Sequence, residues 1–466
     1  MEYISTRGGA PALDFAGATL AGLASDGGLY LPRNWPRFSQ GEIAAMAGLP
    51  YAELAAKVMQ PFVGDCLTAE RLRELTRVAY GRFSHAAVTP LVQLDQQHWL
   101  LELFHGPTLA FKDVALQLLG LFFEEFLGRT RQNLTIVGAT SGDTGSAAID
   151  AVAGRDGIDI FMIHPRGRVS DVQRRQMTTV FAPNIHNIAI DGSFDDAQAM
   201  VKRMFNDPAM TGRFNIGAVN SINWARLMAQ VVYYFAAALQ LGAPQRRVAF
   251  SVPTGNFGDV FAGYVAAQMG LPIERLIVAT NVNDILHRAL STGDYSQGTV
   301  TPTAAPSMDI QVSSNFERLL FDLGGRDGAV LAGQMAGFES SKSMQLTNMQ
   351  REGAAALFTS ARADASDMAG AIRWAWEHCG EMIDPHTACG LFAARASGLP
   401  PEVPVVTLAT AHPAKFREAV ERATGHRPAL PARVGDLFER DERFAEMAGE
   451  YDIVTEYIAS RAVPKG

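Results

Sequence analysis

The sequence predicts an α/β protein of two lobes, each with a mostly parallel sheet wrapped by helices, behind an N-terminal, mainly helical extension. Two observations support this fold class. Strand-like apolar runs alternate with helical patterns along most of the chain, and three of these runs end in loops rich in glycine or threonine. Such alternation is typical of parallel sheets, whose ligands bind at the carboxyl ends of the strands. We therefore expect a binding site in these loops.

The predicted elements follow one another along the chain. Residues 1–95 form the extension, with a turn-rich start and helical patterns after it. A strand at 99–104 precedes a helix that we expect to begin near Thr108. The remaining strands and strand–loop–helix units are 133–154, 158–165, 246–270, 275–284 and 403–425.

Composition restricts the functional classes. The chain has 466 residues and a formal net charge of −8, which argues against a nucleic-acid-binding surface. Its three cysteines show no CxxC or zinc spacing and its histidines form no HExxH motif, so we expect neither a disulfide framework nor a metal site. The N-terminus lacks the pattern of a signal peptide, and the apolar run 227–242 is too short to span a bilayer. We therefore expect a cytoplasmic protein without a membrane partner.

Lys112 is an amine beside a predicted apolar helix face. The stretch HGPTLAFKDVALQ (105–117) continues into apolar residues at helical spacing. A surface lysine extending along a helix is the ordinary interpretation. Apart from Asp113, however, the near neighbours of Lys112 in the sequence are apolar, and both burial and the positive end of a helix lower the pKa of an amine. Because a neutral amine can form a Schiff base, Lys112 is a candidate nucleophile.

Two Gly-rich loops at predicted helix starts are candidate anion-binding sites. The first is GATSGDTGSA (138–147), which supplies Thr140, Ser141, Gly142, Asp143, Thr144 and Gly145. The second is PTGNFGD (253–259), which supplies Gly255, Asn256, Phe257 and Gly258. Small residues let backbone N–H groups approach an anion, and the helix dipole favours negative charge there. Ordinary strand–helix turns are the alternative for both, and the first loop has neither the GxGxxG nor the P-loop pattern.

Two further residues are candidates at predicted loops. Thr410 ends an apolar strand in TLATAHPAKF (407–416), where a helix cap is the more ordinary interpretation of a lone threonine. His386 lies in the turn-rich segment IDPHTACG (383–390), and histidine titrates near neutrality. A cofactor that carries an aldehyde and a phosphate would use a nucleophilic lysine and one anion-binding loop, and would leave a second loop for a substrate anion. Pyridoxal phosphate is that cofactor.

Six segments occur here in an order that resembles one enzyme family, the long-chain threonine synthases of bacteria and fungi. They are HGPTLAFKD, GATSGDTGSA, NSINWARL, PTGNFGD, IDPHTACG and LATAHPAKF. The resemblance runs from about Ser5 to Phe416. It implies a fold-type II pyridoxal-phosphate enzyme with two open, twisted, mostly parallel sheet lobes and helices on both faces, similar in core to tryptophan synthase β and cysteine synthase.

The resemblance also implies a lobe arrangement and a reaction. The large, cofactor-binding lobe comprises 96–132 and 221–466, and the smaller, mobile lobe with the substrate loop comprises 133–220. The reaction converts O-phospho-L-homoserine and water to L-threonine and phosphate, by γ-elimination and β-addition of water. The implied partner is this small-molecule substrate, and we expect a monomer or a weak homo-oligomer.

Residue roles carry over from the same resemblance. Lys112 matches the lysine that forms a Schiff base with the cofactor, and Thr410 matches the hydroxyl residue that faces the pyridine nitrogen. The loop that holds the cofactor phosphate is Gly255, Asn256, Phe257 and Gly258. The substrate-binding residues are Thr140, Ser141, Gly142, Asp143, Thr144, Gly145, Asn220, Ser221, Asn223 and Arg226, with His386 as a further candidate.

Three alternatives stay open from the sequence. A related fold-type II phospho-lyase or dehydratase would release 2-oxobutyrate from the same substrate. A nicotinamide-dependent oxidoreductase would explain the Gly-rich turns, although the required GxGxxG pattern is absent. In a non-catalytic binding protein, Lys112 would be dispensable.

Overall fold

The computed structural model describes residues 1–140 and 142–465, so Ser141, a predicted substrate-binding residue, lies outside the described residues. The described residues form two compact units. The first unit consists of residues 1–18, 23–111 and 221–429. The second unit consists of residues 19–22, 112–140, 142–220 and 430–465.

The strands of the described residues belong to three sheets. They are β1 (Tyr3–Ser5), β2 (Tyr30–Pro32), β3 (Leu91–Gln93), β4 (His98–Glu102), β5 (Leu134–Ala139), β6 (Ile158–Pro165), β7 (Ile185–Ile190), β8 (Ile216–Gly217), β9 (Val248–Pro253), β10 (Ile273–Thr280), β11 (Phe358–Arg362), β12 (Val405–Ala409) and β13 (Ala445–Met447).

Helices connect most of these strands. They are α1 (Phe15–Ala21), α2 (Gln40–Ala44), α3 (Tyr51–Val63), α4 (Ala69–Tyr80), α5 (Lys112–Thr130), α6 (Asp143–Val152), α7 (Asp171–Thr178), α8 (Phe194–Asn206), α9 (Pro208–Arg213), α10 (Trp224–Gln240), α11 (Gly258–Gln268), α12 (Ile285–Thr292), α13 (Phe316–Leu323), α14 (Gly328–Ser341), α15 (Asn348–Ala355), α16 (Ala365–Trp374), α17 (Pro385–Arg395), α18 (Arg417–Thr424) and α19 (Tyr451–Ala459). None of the helices in the described ranges is long and apolar enough to cross a membrane.

The first unit is built on a six-stranded sheet with the order β11-β10-β9-β12-β4-β3. Its neighbouring strands run parallel, except for the antiparallel edge pair of β3 and β4. Strands β9 and β12 are buried along their whole length, as is typical of parallel strands covered on both faces. The chain leaves the carboxyl ends of these two strands in the loops at 254–257 and 410–412.

The second unit is built on a five-stranded parallel sheet with the order β13-β7-β6-β5-β8. Phe161, Ile163 and Ile188 are fully buried in its hydrophobic core. Helix α5 packs along α6, and Gly120 permits this approach, since a Cβ atom there would lie 2.4 Å from the carbonyl oxygen of Ala151. The helix that begins with Lys112 is therefore held tightly against the helix that begins with Asp143.

The predicted alternation is confirmed, and the mixed α/β architecture with parallel sheets agrees with the expected fold class. Predicted strands appear as β4, β5, β6, β9, β10 and β12. The helix expected near Thr108 begins instead at Lys112. The reason is local, because Leu109 has a φ of +64° and Ala110 forms an antiparallel bridge with Ala411. Residues 108–111, between the expected and the observed helix start, are therefore not helical.

The grouping of residues differs from the expected lobe boundaries in two places. Helix α5 groups with the second unit through its packing on α6, and residues 430–465 do so because β13 pairs with β7. Val454 and Ile458 of α19 are buried in the same core. The N-terminal 95 residues, apart from 19–22, belong to the first unit, where α3 packs on α10. This part of the chain also contains the antiparallel pair of β1 and β2.

Replacing Phe161 by alanine should lower the free energy of unfolding by about 3–5 kcal/mol, because it leaves a cavity in the core of the second unit. Phe161 is 0% exposed. Phe181→Ala is the matched control, since Phe181 is 60% exposed and its loss should change the free energy by about 0.5 kcal/mol or less. Chemical denaturation followed by circular dichroism measures both. Equal losses for the two variants would contradict the described core.

Candidate active site

The segment before α5 is held by backbone contacts to the loop after β12. The N–H group of Phe111 donates to the carbonyl oxygen of Thr410 at 2.8 Å, and the N–H group of His412 donates to that of Leu109 at 3.0 Å. Both contacts lie within the first unit. Because Phe111 directly precedes Lys112, they fix the point at which the chain enters α5.

Lys112 is buried, and a carboxylate lies beside its amine. The residue is 8% exposed, and its Nζ lies 3.4 Å from Oδ2 of Asp143, the first residue of α6. The sequence predicted apolar surroundings that would favour a neutral amine. The expectation of apolar surroundings is wrong, because the structure places the carboxylate of Asp143 next to the amine. The predicted position near a helix N-terminus is confirmed.

The loop at 140–145 satisfies part of its own hydrogen-bonding capacity. The N–H groups of Gly142 and Gly145 donate to the Thr140 hydroxyl oxygen at 3.0 and 2.9 Å. Thr140 is buried, and Thr144 is half-buried. Two of the N–H groups that we expected to face an anion are therefore engaged within the loop, and Thr144 is more accessible than its described neighbours in the loop.

The loop at 255–258 presents the start of α11. The carbonyl oxygen of Gly255 accepts from Ser313 Oγ at 2.7 Å, and that of Asn256 accepts from Asn315 Nδ2 at 2.9 Å. Phe257 has a φ of +60° and gives α11 no side-chain cap. With its carbonyl oxygens bound to neighbouring side chains and the helix end uncapped by a side chain, this loop fits a phosphate group.

Position 255 has room only for a glycine, because Ser307 lies close to it, and Ser307 is in turn held by His386. A Cβ atom at Gly255 would lie 2.6 Å from the carbonyl oxygen of Ser307. The N–H group of Ser307 donates to Nε2 of His386 at 3.2 Å, and Nδ1 of His386 lies 2.6 Å from Oδ2 of Asp384. Since Nε2 accepts, Nδ1 carries the proton. Both ring nitrogens of His386 are thus engaged by protein groups that support the loop.

Thr410 follows β12 directly and is 6% exposed. The short turn at 413–415 is capped by His412, whose Nδ1 accepts from the N–H group of Ala414 at 3.1 Å. The helix-cap interpretation of Thr410 is therefore wrong, and its hydroxyl is not used as a cap.

Arg226 is a buried guanidinium in the segment that follows Asn220. It is 3% exposed, and its Nε and Nη1 atoms have no hydrogen-bond partner among the described residues. Burial lowers the pKa of Arg226 to about 10. Asn223 caps α10 by accepting from Ala225, and the carbonyl oxygen of Ser221 accepts from Asn315. Burying Nε and Nη1 without hydrogen-bond partners is costly, so Arg226 is a candidate for binding an anionic group.

Two polar side chains next to the candidate residues were missed by the sequence-based prediction. Gln173 of α7 donates from Nε2 to Oδ1 of Asp143 at 2.7 Å. Asp259 follows the loop at 255–258, and its Oδ1 accepts from the hydroxyl groups of Tyr233 and Tyr234. Burial raises the pKa of Asp259 to about 7.

Among the described residues, no group of three or more His, Cys, Asp or Glu side chains could hold a metal ion.

Comparison with known proteins gives the family. Residues 83–411 match the family described as pyridoxal-phosphate dependent enzyme, residues 2–80 match threonine synthase N terminus, and residues 387–458 match threonine synthase, C-terminal. The chain belongs to the threonine synthase family. Its cofactor is pyridoxal phosphate. Taken separately, the uncapped loop at 255–258 fits a phosphate group, and the buried amine of Lys112 fits an aldehyde.

Similar proteins cover almost the whole chain. A threonine synthase of Pseudomonas aeruginosa is 55% identical over 460 residues, which are 98% of each chain. One of Saccharomyces cerevisiae is 41% identical and covers 90% of this chain and 88% of its own. The crystal structure of PLP-bound threonine synthase from Brucella melitensis has a TM-score of 0.97, 52% identity and 99% coverage of both chains. The function is that of a threonine synthase, so the nicotinamide-dependent and non-catalytic alternatives are wrong and the phospho-lyase is not favoured.

Replacing Asp259 by asparagine should remove part of the pH dependence of stability. The pKa of Asp259 is about 7 in the folded protein against the ordinary 3.8, so the folded protein retains a proton that the unfolded chain releases between these values. The wild-type protein should therefore lose stability as pH rises from about 4 to about 7, by on the order of a few kcal/mol. The free energy of unfolding of the variant should increase relative to that of the wild type as pH rises through this window. Urea denaturation at pH 5 and pH 8 measures this difference. A difference that does not change with pH would contradict the assignment.

Proposed function

We propose that this chain converts O-phospho-L-homoserine and water to L-threonine and phosphate, with Lys112 as the residue that carries the cofactor and transfers protons at the substrate. The observation that supports this role is the buried amine of Lys112, held beside Asp143 at the start of α5. When bound, pyridoxal phosphate supplies an electron sink for negative charge that develops on the carbon next to the substrate nitrogen.

Lys112 acts as general base and general acid at the substrate carbon. A lysine amine that removes a proton becomes an ammonium group, and Asp143 at 3.4 Å stabilises that charged form. The pair therefore retains the abstracted proton within the site until it is returned to carbon. Because both groups are buried, exchange of this proton with water is restricted.

Two anion-binding regions have different tasks in this proposal. The loop of Gly255, Asn256, Phe257 and Gly258 holds the cofactor phosphate at the start of α11. Arg226 binds an anionic group of the substrate, since its unpartnered N–H groups require a negative partner. We assign Arg226 to the substrate phosphate, where its charge stabilises the leaving group.

We assign the substrate carboxylate to the loop at 140–145. The contacts within this loop exclude one of its side chains as a ligand. The side chain of Asp143 is a carboxylate that contacts Lys112 and Gln173, so it does not bind the substrate carboxylate. The accessible hydroxyl group of Thr144 is the described donor that we favour for this contact. Asn220, Ser221 and Asn223 stay assigned near the substrate, whereas His386 supports Ser307 and thereby Gly255.

Thr410 provides a neutral hydroxyl group at the pyridine nitrogen. When the cofactor is bound, a hydroxyl group there, unlike a carboxylate, would leave that nitrogen largely unprotonated and would moderate the electron withdrawal that the cofactor supplies. This moderation restrains competing transamination.

We also propose that the protein works in the cytoplasm as a monomer or a weak homo-oligomer, on a small-molecule substrate and without nucleic acid or membrane. The formal net charge of −8 supports the exclusion of nucleic acid. Size-exclusion chromatography with light scattering over a range of concentrations tests the oligomeric state. A large, stable assembly at all concentrations would contradict this proposal.

Lys112→Ala should abolish the visible absorbance of the bound cofactor and lower the rate of threonine formation by about a thousand-fold or more. The reason is that the group that carries the cofactor and the group that transfers protons are the same amine. The measurement is an absorbance spectrum with assays of phosphate, threonine and 2-oxobutyrate released from O-phospho-L-homoserine. Lys57→Ala is the control, since Lys57 is exposed on α3. Release of 2-oxobutyrate without threonine by the wild-type protein would refute the proposed function.

Arg226→Met should raise the KM for O-phospho-L-homoserine by about 10- to 100-fold, because it removes charge-assisted hydrogen bonds to the substrate anion. The visible absorbance of the cofactor should be retained, which separates this effect from loss of cofactor. Arg246→Met is the matched control at an exposed arginine and should leave KM unchanged. Loss of the cofactor band in Arg226→Met would instead assign Arg226 to the cofactor phosphate.

A further inference from the structure

Gln173 of α7 is bonded to the carboxylate that pairs with Lys112. Its Nε2 donates to Oδ1 of Asp143 at 2.7 Å, while Oδ2 of the same carboxylate lies 3.4 Å from Nζ of Lys112. All three residues are buried, with exposures of 7%, 5% and 8%. Gln173 and Lys112 thus lie at different oxygens of the Asp143 carboxylate.

The amide group of Gln173 has one orientation that satisfies its neighbours. Ser170 Oγ donates to Oε1 of Gln173 at 2.9 Å and also accepts from the N–H group of Gln173 at the start of α7. With Oε1 bound to a hydroxyl donor, the NH₂ group must point to Asp143, which is acceptor-only when ionised. Ser170 therefore donates to Gln173, Gln173 donates to one oxygen of Asp143, and Lys112 donates to the other oxygen of the same carboxylate.

Gln173 also packs on the loop that positions Asp143. Gly142, the residue before Asp143, has a φ of +139°, and a Cβ atom there would lie 2.5 Å from Cδ of Gln173. The side chain of Gln173 thus occupies the space next to Gly142. A substitution that keeps this volume but removes the donor is needed to separate packing from hydrogen bonding.

Other acidic groups on α5 and α6 have other contacts. Asp150 of α6 accepts from Gln117 at 2.7 Å, and Asp113 of α5 interacts electrostatically with Arg433. Asp143 forms an ion pair with Lys112.

We propose that Gln173 is a positioning residue, which turns Oδ2 of Asp143 towards Lys112 and so sets the reactivity of the amine. Its consequence for catalysis rests on the proposed role of Lys112, whereas the positioning itself does not depend on the reaction. The amide of Gln173 donates to Asp143, so its effect on Lys112 is exerted through that carboxylate.

The test is the pH dependence of the reactivity of Lys112 in full-length protein freed of cofactor and checked for folding by circular dichroism. Reductive methylation with formaldehyde and cyanoborohydride labels the neutral amine, and mass spectrometry gives the extent at Lys112. Gln173→Met, which keeps most of the volume without a donor, should lower the midpoint of labelling by about half a pH unit. Asp143→Asn should lower it by about one pH unit or more, because the opposite charge is removed.

A double variant distinguishes positioning through Asp143 from a structural effect. Gln173→Met should add no further shift in the Asp143→Asn background. Gln350→Met is the matched control, since Gln350 is a buried, hydrogen-bonded glutamine of the first unit, and its loss should leave the labelling of Lys112 unchanged. If Gln173→Met does not fold, Ser170→Ala removes the hydroxyl group that orients the amide and should give a smaller shift in the same direction.

A wild-type midpoint in Gln173→Met, or an added shift in the double variant, would overturn the inference. These outcomes are distinct from failure of the proposed function. If labelling shifts as expected but the wild-type protein forms no threonine, the function is refuted and the positioning stands. If the wild-type protein forms threonine and Gln173→Met labels like wild type, the positioning alone is refuted.

Discussion

The start of α5 depends on the short antiparallel contact between residues 109–111 and 410–412. These segments follow β4 and β12, which are neighbouring parallel strands in register from His98 and Val405 onwards. The register of the two strands brings their loops together, and the resulting backbone hydrogen bonds keep residues 109–111 out of the helix. Lys112 is consequently the first helical residue, one peptide bond from the residue bonded to Thr410. The point at which the chain becomes helical is thus set by these backbone contacts rather than by helix propensity.

The buried ionisable residues among the candidates differ in whether a neighbouring side chain compensates their charge. The amine of Lys112 lies beside the carboxylate of Asp143, whereas Nε and Nη1 of Arg226 have no hydrogen-bond partner among the described residues. Asp259, directly behind the loop at 255–258, has a pKa raised to about 7. A carboxyl group that retains its proton below neutral pH adds little repulsion towards a phosphate at that loop. The unpartnered nitrogen atoms of Arg226 therefore make this residue the candidate for contact with a negatively charged ligand group.

Much of the architecture could be predicted because each strand–loop–helix unit has its own local pattern. The predicted strands at 99–104 and 158–165 correspond to β4 and β6, and both Gly-rich loops precede helices. The strand β13 and its pairing with β7 were not predicted, because three residues are too few for a periodic signal. The surroundings of Lys112 were also predicted wrongly. Apolar neighbours in sequence do not exclude a carboxylate that a second helix brings to the amine.

By itself, the sequence determined the order of elements, the family-specific loops and the lysine, since these depend on residues that are adjacent or a few positions apart. The tertiary structure decided which side chains complete those loops. Gln173 reaches Asp143, Ser313 reaches Gly255 and His386 supports Ser307, across separations of 30, 58 and 79 residues. No local spacing encodes such contacts, because they arise only when strands pair and helices pack. Lys112 could therefore be singled out from the sequence as a candidate nucleophile, but the carboxylate beside its amine could not.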